Sequence, residues 1–255
     1  MCDVQTKPQI NLQRHMKTVI IGYGKMGKEI ERILLGRGHE IVLIVDENNT
    51  SDLNPENLKR IGAQVAIEFS TPNTAYDNIM TCLKSGVGIV CGTTGWLDKM
   101  EEVKKVCRQE NGTFFYASNY SIGVNIMFRM NEKLAQMMNG FPQYDVTVEE
   151  VHHTQKKDAP SGTAITIAEG ILDNLDRKKK WVGETTTTPD ELEVLAVRRS
   201  VVPGIHTVTY ESEADQITLT HNAKGRTGFA IGAVMAAEFI YDKKGVYTMT
   251  DLLGF

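Results

Sequence analysis

Residues 149–163 read Glu-Glu-Val-His-His-Thr-Gln-Lys-Lys-Asp-Ala-Pro-Ser-Gly-Thr, and their types and spacing suit chemistry on an anion. His152 and His153 are side chains that can gain or lose a proton near neutral pH. Lys156 and Lys157 add positive charge. After Pro160, Ser161-Gly162-Thr163 opens a run in which Ala164, Ile167, Ala168, Ile171, Leu172 and Leu175 recur at helical spacing. A helix start presents unpaired backbone N–H groups and the positive end of the dipole, which together attract anions. Histidines and lysines beside such a start suit a substrate that carries carboxylates and must take up a proton. The plain alternative, for any one of these residues, is a surface turn with a Ser or Thr cap and solvated lysines.

The elements that position this stretch follow from its flanks. Residues 144–151, with Val146, Val148 and Val151 among carboxylates, read as a strand, and residues 163–175 as a helix. Ahead of them lies a second feature with chemical meaning. Residues 17–21 form an apolar strand running into Gly22-Tyr23-Gly24-Lys25-Met26-Gly27. A helix with Met26, Ile30, Ile33 and Leu34 on its apolar face follows, and Gly36 and Gly38 end it. Residues 40–45 make a second strand that closes on Asp46. Strand, glycine turn, helix and strand, with an acid about 20 residues on, make a dinucleotide fingerprint, where a lone glycine turn would be weak evidence.

The alternation then continues. Strands are expected over 65–69, 87–91 and 113–116, with helices from Ser70-Thr-Pro-Asn-Thr to Leu83 and over 97–109. The turns Gly92-Thr93-Thr94-Gly95 and Ala117-Ser118-Asn119-Tyr120 fall at strand ends, where a doubly wound parallel sheet binds its ligands. From Gly123 the pattern changes. A helix over 124–138 carries Met127, Met130, Leu134 and Met138 on one side, a stripe that reads as core. The basic run Arg177 to Lys180 reads as a solvated helix end, and residues 184–189 as a loop. Alternating stretches at 192–199, 205–211 and 215–221 imply an antiparallel or mixed sheet with one covered face. An apolar helix over 229–241 and a tail at 246–253 complete the first domain. The expected organisation is therefore a Rossmann-like α/β domain, residues 16–120 plus 227–255, with an α+β domain inserted at 121–226.

Bulk properties narrow the classes. The chain has 255 residues, 41% of them hydrophobic and 24% charged, which is ordinary for a soluble globular protein. A net charge of −4 gives no general attraction to nucleic acid or anionic membranes, and the apolar runs are too short to span a bilayer. The four cysteines, Cys2, Cys82, Cys91 and Cys107, show no zinc spacing and read as free thiols of a reducing cytoplasm. No metal is expected. Residues 1–15 are polar and read as a leader or tag before Met16.

His-His-x-x-Lys-x-Asp-Ala-Pro-Ser-Gly-Thr-Ala, starting at His152, resembles the signature of dihydrodipicolinate reductases, nicotinamide-dependent enzymes of lysine and diaminopimelate synthesis. The glycine turn, Glu68-Phe-Ser-Thr-Pro, Gly92-Thr-Thr-Gly, Ser118-Asn-Tyr-Ser-Ile-Gly-Val-Asn and Thr220-His-Asn-Ala-Lys-Gly-Arg226 extend the resemblance from Met16 onward. It implies NADH or NADPH held by the glycine turn, Asp46, Gly92, Thr93, Thr94, Ala117, Ser118, Asn119 and Tyr120, with Arg226 and Phe229 reaching it across a domain hinge. It implies substrate carboxylates held by His153, Lys156, Gly162 and Thr163, beside Ser161, and an acid/base role for His152. The proton comes from His152 or Lys156. A homotetramer joined through sheets of the second domain is the implied assembly. The second-domain Arg-x-Gly stretch of the family is Arg198-Arg199-Ser200 here, and the glycine turn is one residue shorter than in many members. Glu47 stands where an arginine often follows the acid, so NADH is expected to serve at least as well as NADPH. A dehydrogenase of aspartate or homoserine type and a nucleotide-sensing binding protein are the rival readings; the histidine–lysine cluster argues against both.

Overall fold

The computed structural model describes residues 15–255, so the leader expected over 1–15 lies, but for its last residue, outside the described chain. In order the elements are β1 (Lys17–Ile21), α1 (Lys25–Gly36), β2 (Glu40–Val45), α2 (Pro55–Arg60), β3 (Val65–Glu68), α3 (Pro72–Lys84), β4 (Gly88–Cys91), α4 (Met100–Gln109) and β5 (Thr113–Tyr116). Then come α5 (Ile122–Met138), β6 (Asp145–His152), α6 (Gly162–Leu172), β7 (Lys180–Val182), β8 (Glu191–Arg198), β9 (Ile205–Glu211) and β10 (Gln216–Asn222). The chain closes with α7 (Thr227–Ile240), β11 (Gly245–Tyr247) and α8 (Met249–Leu253). Two compact units result, one running up to Ser121 and resuming at Phe229–Phe255, the other spanning Ile122–Gly228.

Val19, Ile20 and Ile21 are all buried, as a strand covered on both faces requires. Alternate residues serve opposite layers. Ile20, Ile67, Val90 and Phe115 pack with α1, α7 and α8, while Val19, Ile21, Ala66, Ile89, Cys91 and Phe114 pack with α2, α3 and α4. The sheet order is β11-β5-β4-β3-β1-β2, and every pair is parallel. β1 lies between β2 and β3, so the order reverses there and the turns after β1 and β3 open side by side. Such a switch point is where doubly wound sheets take their ligands.

The second unit holds a mixed sheet of order β10-β9-β6-β8-β7. β8 runs parallel to β6 and β7, whereas β9 is antiparallel to β6 and β10. Val146, Val148, Leu192, Val194, Val208 and Tyr210 cover one face against α5 and α6. On the other face of β6, Asp145, Thr147 and Glu149 are exposed. The basic run at 177–180 is not a solvated helix end. Lys178 is buried, with Nζ 2.7 Å from Asp145 Oδ1 and 2.8 Å from the Glu191 carbonyl. Arg177 donates to the carbonyls of Met138 and Tyr144, and Lys180 opens β7. Arg177 and Lys178 thus donate to backbone oxygens at the ends of elements.

Candidate active site

Strand register assembles the chemistry of the second unit. On β6, Val146, Val148, Glu150 and His152 share the buried phase of the alternation. Pairing sets Glu150 opposite His206 on β9 and His152 opposite Arg198 on β8. A carboxylate, two imidazoles and a guanidinium therefore meet on the covered face at the carboxyl end of β6. Glu150 is fully buried, and His152 and His206 are nearly so.

Glu150 is the centre of the cluster. Its Oε1 accepts from the Ser161 N–H at 2.9 Å and from Arg198 at 3.0 Å. Its Oε2 lies 3.1 Å from His152 Nδ1 and 3.6 Å from His206 Nε2. Ser161 caps α6, its hydroxyl accepting from the Ala164 N–H at 3.2 Å, and it also lies 3.3 Å from His206 Nε2. Arg198 donates to the Asp158 carbonyl at 2.6 Å, and Lys156 Nζ lies 2.9 Å from both Asp158 oxygens. The strand end, the loop and the helix start are thus one hydrogen-bonded body.

Burial works to raise the Glu150 carboxyl, but the neighbouring His206 and the hydrogen bonds from Ser161 and Arg198 outweigh it and hold the group at about 2. Burial is the main cause that brings His152 down to about 4; the Glu150 charge pulls it up, and His206, Lys156 and Arg198 push it down. At neutral pH the site therefore holds an ionised Glu150 beside a neutral His152. Asp158 lies below the ordinary carboxylate range because Lys156 hydrogen-bonds to it, so loop and cation are fixed as an ion pair. Glu150, His152 and His206 also offer three donor atoms within 4.8 Å of one another. A divalent ion there would share the Glu150 carboxylate with the Arg198 guanidinium, which already supplies the positive charge, and we assign no metal.

In the first unit the glycine turn has the shape a dinucleotide needs. Gly22 has φ +91°, and a Cβ on it would lie 2.2 Å from the Phe69 carbonyl oxygen. A Cβ on Gly27 would come equally close to the Gly22 oxygen, whereas Gly24 faces open space. No side chain caps α1, so its amino end is left to an outside anion. Asp46 ends the second strand in a tight turn, its Oδ1 accepting from the Asn48 N–H at 2.8 Å. Room for a pyrophosphate and a carboxylate placed for ribose hydroxyls fit the cofactor expected from the residues.

Next to that turn, buried Glu68 joins two loops. Its carboxylate accepts from the Ser70 N–H at 2.9 Å, the Ser70 hydroxyl, the Thr93 hydroxyl at 3.1 Å and the Cys91 thiol at 3.0 Å. The loops after β3 and β4 consequently hold one position.

Several expected ligand residues take a different part. Thr93 is spent on Glu68, Ser70 and, through its carbonyl, Trp96. Tyr120 is a core residue that packs on Phe69 and Phe115 and donates to the Cys91 carbonyl at 2.7 Å. Ser161 gives its hydroxyl to the cap and its N–H to Glu150. Met26 and Ala117 pack with the core, and Gly92 presses against the Phe69 ring. Lys25, Thr94, Ser118, Gly162 and Arg226 are exposed; Tyr23, Asn119, His153, Lys156, Thr163 and Phe229 are half-buried. Glu150, Arg198 and His206 escaped the sequence reading as site residues. A titratable side chain in the inward phase of an alternating strand was the signal for each.

A doubly wound nucleotide-binding unit joined to a mixed-sheet unit with a buried acid–histidine–arginine centre defines a two-part α/β oxidoreductase architecture. Residues 16–120 match the model of the dihydrodipicolinate reductase N-terminus and residues 123–253 that of its C-terminus. The chain belongs to the dihydrodipicolinate reductase family. It is 48% identical over 238 residues to 4-hydroxy-tetrahydrodipicolinate reductase of Christiangramia forsetii, covering 93% of this chain and 98% of the relative. The protein of the same description from Methanocaldococcus jannaschii is 34% identical over 256 residues, with 96% and 90% covered. Among solved structures, dipicolinate-bound dihydrodipicolinate reductase from Paenisporosarcina sp. TG-14 superimposes with a TM-score of 0.77 at 26% identity, covering 93% of this chain and 99% of that one. An amine dehydrogenase of Mycobacterium smegmatis shares the fold, with a TM-score of 0.59 at 12% identity and 92% and 95% covered.

Proposed function

We propose that this chain reduces 4-hydroxy-tetrahydrodipicolinate to tetrahydrodipicolinate, a step of lysine and diaminopimelate synthesis, with a nicotinamide dinucleotide held at the glycine turn. The carrying observation is the cluster at the end of β6. His152, the Lys156–Asp158 pair and the start of α6 lie together there, in a chain that matches the family over both halves. When bound, the dinucleotide supplies a hydride. The chain's own residues must neutralise the substrate carboxylates and deliver a proton. His153, Lys156, Gly162 and Thr163 are the carboxylate-binding residues of this reading, aided by the α6 dipole. Neutral His152 is a poor proton source at pH 7, so Lys156 is the donor and His152 the hydrogen-bonding partner that steers the transfer. Oxidation of NADH or NADPH followed at 340 nm, with substrate generated enzymatically, tests the reading; no turnover by folded protein sinks it.

Two finer readings accompany it. NADH serves at least as well as NADPH, because Glu47 follows Asp46 where a 2′-phosphate would want an arginine. Glu47 is exposed, so salt screens part of the repulsion and a preference is expected, with both cofactors used. Glu47→Arg should improve NADPH use mainly through KM; an unchanged cofactor ratio would count against the idea. The assembly is a homotetramer, since the polar face of the second sheet, with Thr147, Glu149, Thr207 and Thr209, awaits a covering surface. Light scattering at micromolar concentration should give four times the chain mass, and a monomer would refute it. Buried free thiols at Cys82, Cys91 and Cys107 suit a cytoplasmic setting.

A further inference from the structure

We propose that Glu150 is the positioning residue of this site: its buried carboxylate turns His152 so that Nδ1 faces inward and Nε2 is the atom that exchanges a hydrogen bond or proton with substrate. The inference rests on the function proposed above and adds to it a residue that neither binds substrate nor transfers a proton.

Geometry on both edges of the ring supports it. On one edge, Glu150 Oε2 is 3.1 Å from Nδ1. On the other stands Gly204, on which a Cβ would come within 2.9 Å of Nε2. Gly204 thus lets the backbone approach the Nε2 edge where any side chain would clash, while the Nδ1 edge meets a charge. Among the described residues neither Oε2 nor Nδ1 has another hydrogen-bond partner, and a small rotation of the ring would align the two with each other. An Nδ1–H donated to Glu150 also fixes the tautomer, leaving the lone pair on Nε2.

Glu150 is itself held too firmly to follow the ring. Its other oxygen is fixed by the Ser161 N–H and by Arg198, so the carboxylate cannot swing away. Ser161 caps α6, which makes Glu150 a link between the imidazole and the helix start that holds substrate carboxylates. His206, packed edge-on with ring centroids 5.1 Å apart, walls the remaining side. The charged or titratable groups around His152 are thus Glu150 on its own strand, His206 on β9, Arg198 on β8 and Lys156 on the loop. Of these only Glu150 raises its proton affinity.

The test compares Glu150→Gln, which keeps the shape and removes the charge, with Glu150→Asp, which keeps the charge and retracts it. Glu150→Gln should lower kcat on the order of 10²-fold. KM should change little, and dinucleotide binding, read by cofactor fluorescence without substrate, should be unaffected. The His152 titration, followed by imidazole NMR of the full assembly, should move to lower pH in Glu150→Gln and less in Glu150→Asp. In a His152→Gln background, Glu150→Gln should cost little further kcat, because the two act as a unit. Parental kcat in folded Glu150→Gln, an unmoved His152 titration, or full additivity in the double variant would each overturn the proposal. If Glu150→Gln does not fold, parental kcat in Glu150→Asp does the same. Should the parental protein not turn over the substrate at all, the reductase reading fails, while the NMR titration still decides whether Glu150 governs His152.

Discussion

His152→Gln should lower kcat by ~10²–10⁴-fold, the usual range for a side chain on which a proton transfer depends. Glutamine fills the same buried slot beside Glu150 but cannot present an imidazole nitrogen to steer the transfer from Lys156. Lys156→Ala should reach a comparable loss by another route. It removes the cation that pairs with Asp158, so the loop loses its anchor and the substrate a carboxylate partner as well as its proton source. KM should therefore rise in Lys156→Ala and hold steadier in His152→Gln. Steady-state kinetics at matched pH, with circular dichroism to confirm folding, check both. Near-parental turnover in the two folded variants would mean that the chemistry lies elsewhere.

Gly232→Ala should be the costliest single methyl group in the first unit. A Cβ there would fall 1.8 Å from the Tyr120 carbonyl oxygen and 2.9 Å from its carbon. Both are backbone atoms, so no rotamer change relieves the clash; α7 must move off the segment that ends at Tyr120. Overpacking of this kind costs about 3 kcal/mol, outweighing the ~1 kcal/mol that alanine gains in helix propensity. For a chain of this size the net loss corresponds to a fall in Tm of about 4–8 °C. Gly36→Ala, at the end of α1 where a Cβ meets nothing within 4 Å, is the control and should not lower Tm. Equal melting of Gly232→Ala and the parent would show that the close approach of α7 is dispensable.

Local grammar explains what was legible. The glycine turn, Asp46 and the parallel alternation were readable because each constraint acts within a few residues: a turn needs φ > 0, a covered strand needs a continuous apolar run. His152, Lys156 and the cap at Ser161 were readable as a contiguous stretch. Glu150, Arg198 and His206 were not, because what makes them a site is pairing between strands that stand about 50 residues apart in the chain. The run at 177–180 misled for the opposite reason. Composition says that lysine and arginine are usually solvated, yet Arg177 is recruited by carbonyls at the end of α5 and just before β6, and Lys178 by the carbonyl that opens β8, a demand set by tertiary structure. Tyr120 and Thr93 lie in polar turns but face inward, which a turn's composition does not reveal.

The cross-strand placement of Glu150 opposite His206 and of His152 opposite Arg198 bears on how this chemistry could be moved to another scaffold. A peptide carrying residues 152–163 would transplant the histidines, the lysine and the helix cap, and would leave behind the groups that govern them. A host must instead supply three adjacent strands, two parallel and one reversed, cut at the same level. The portable module is a slice across the sheet, and a designer would have to copy pairing register before copying any motif.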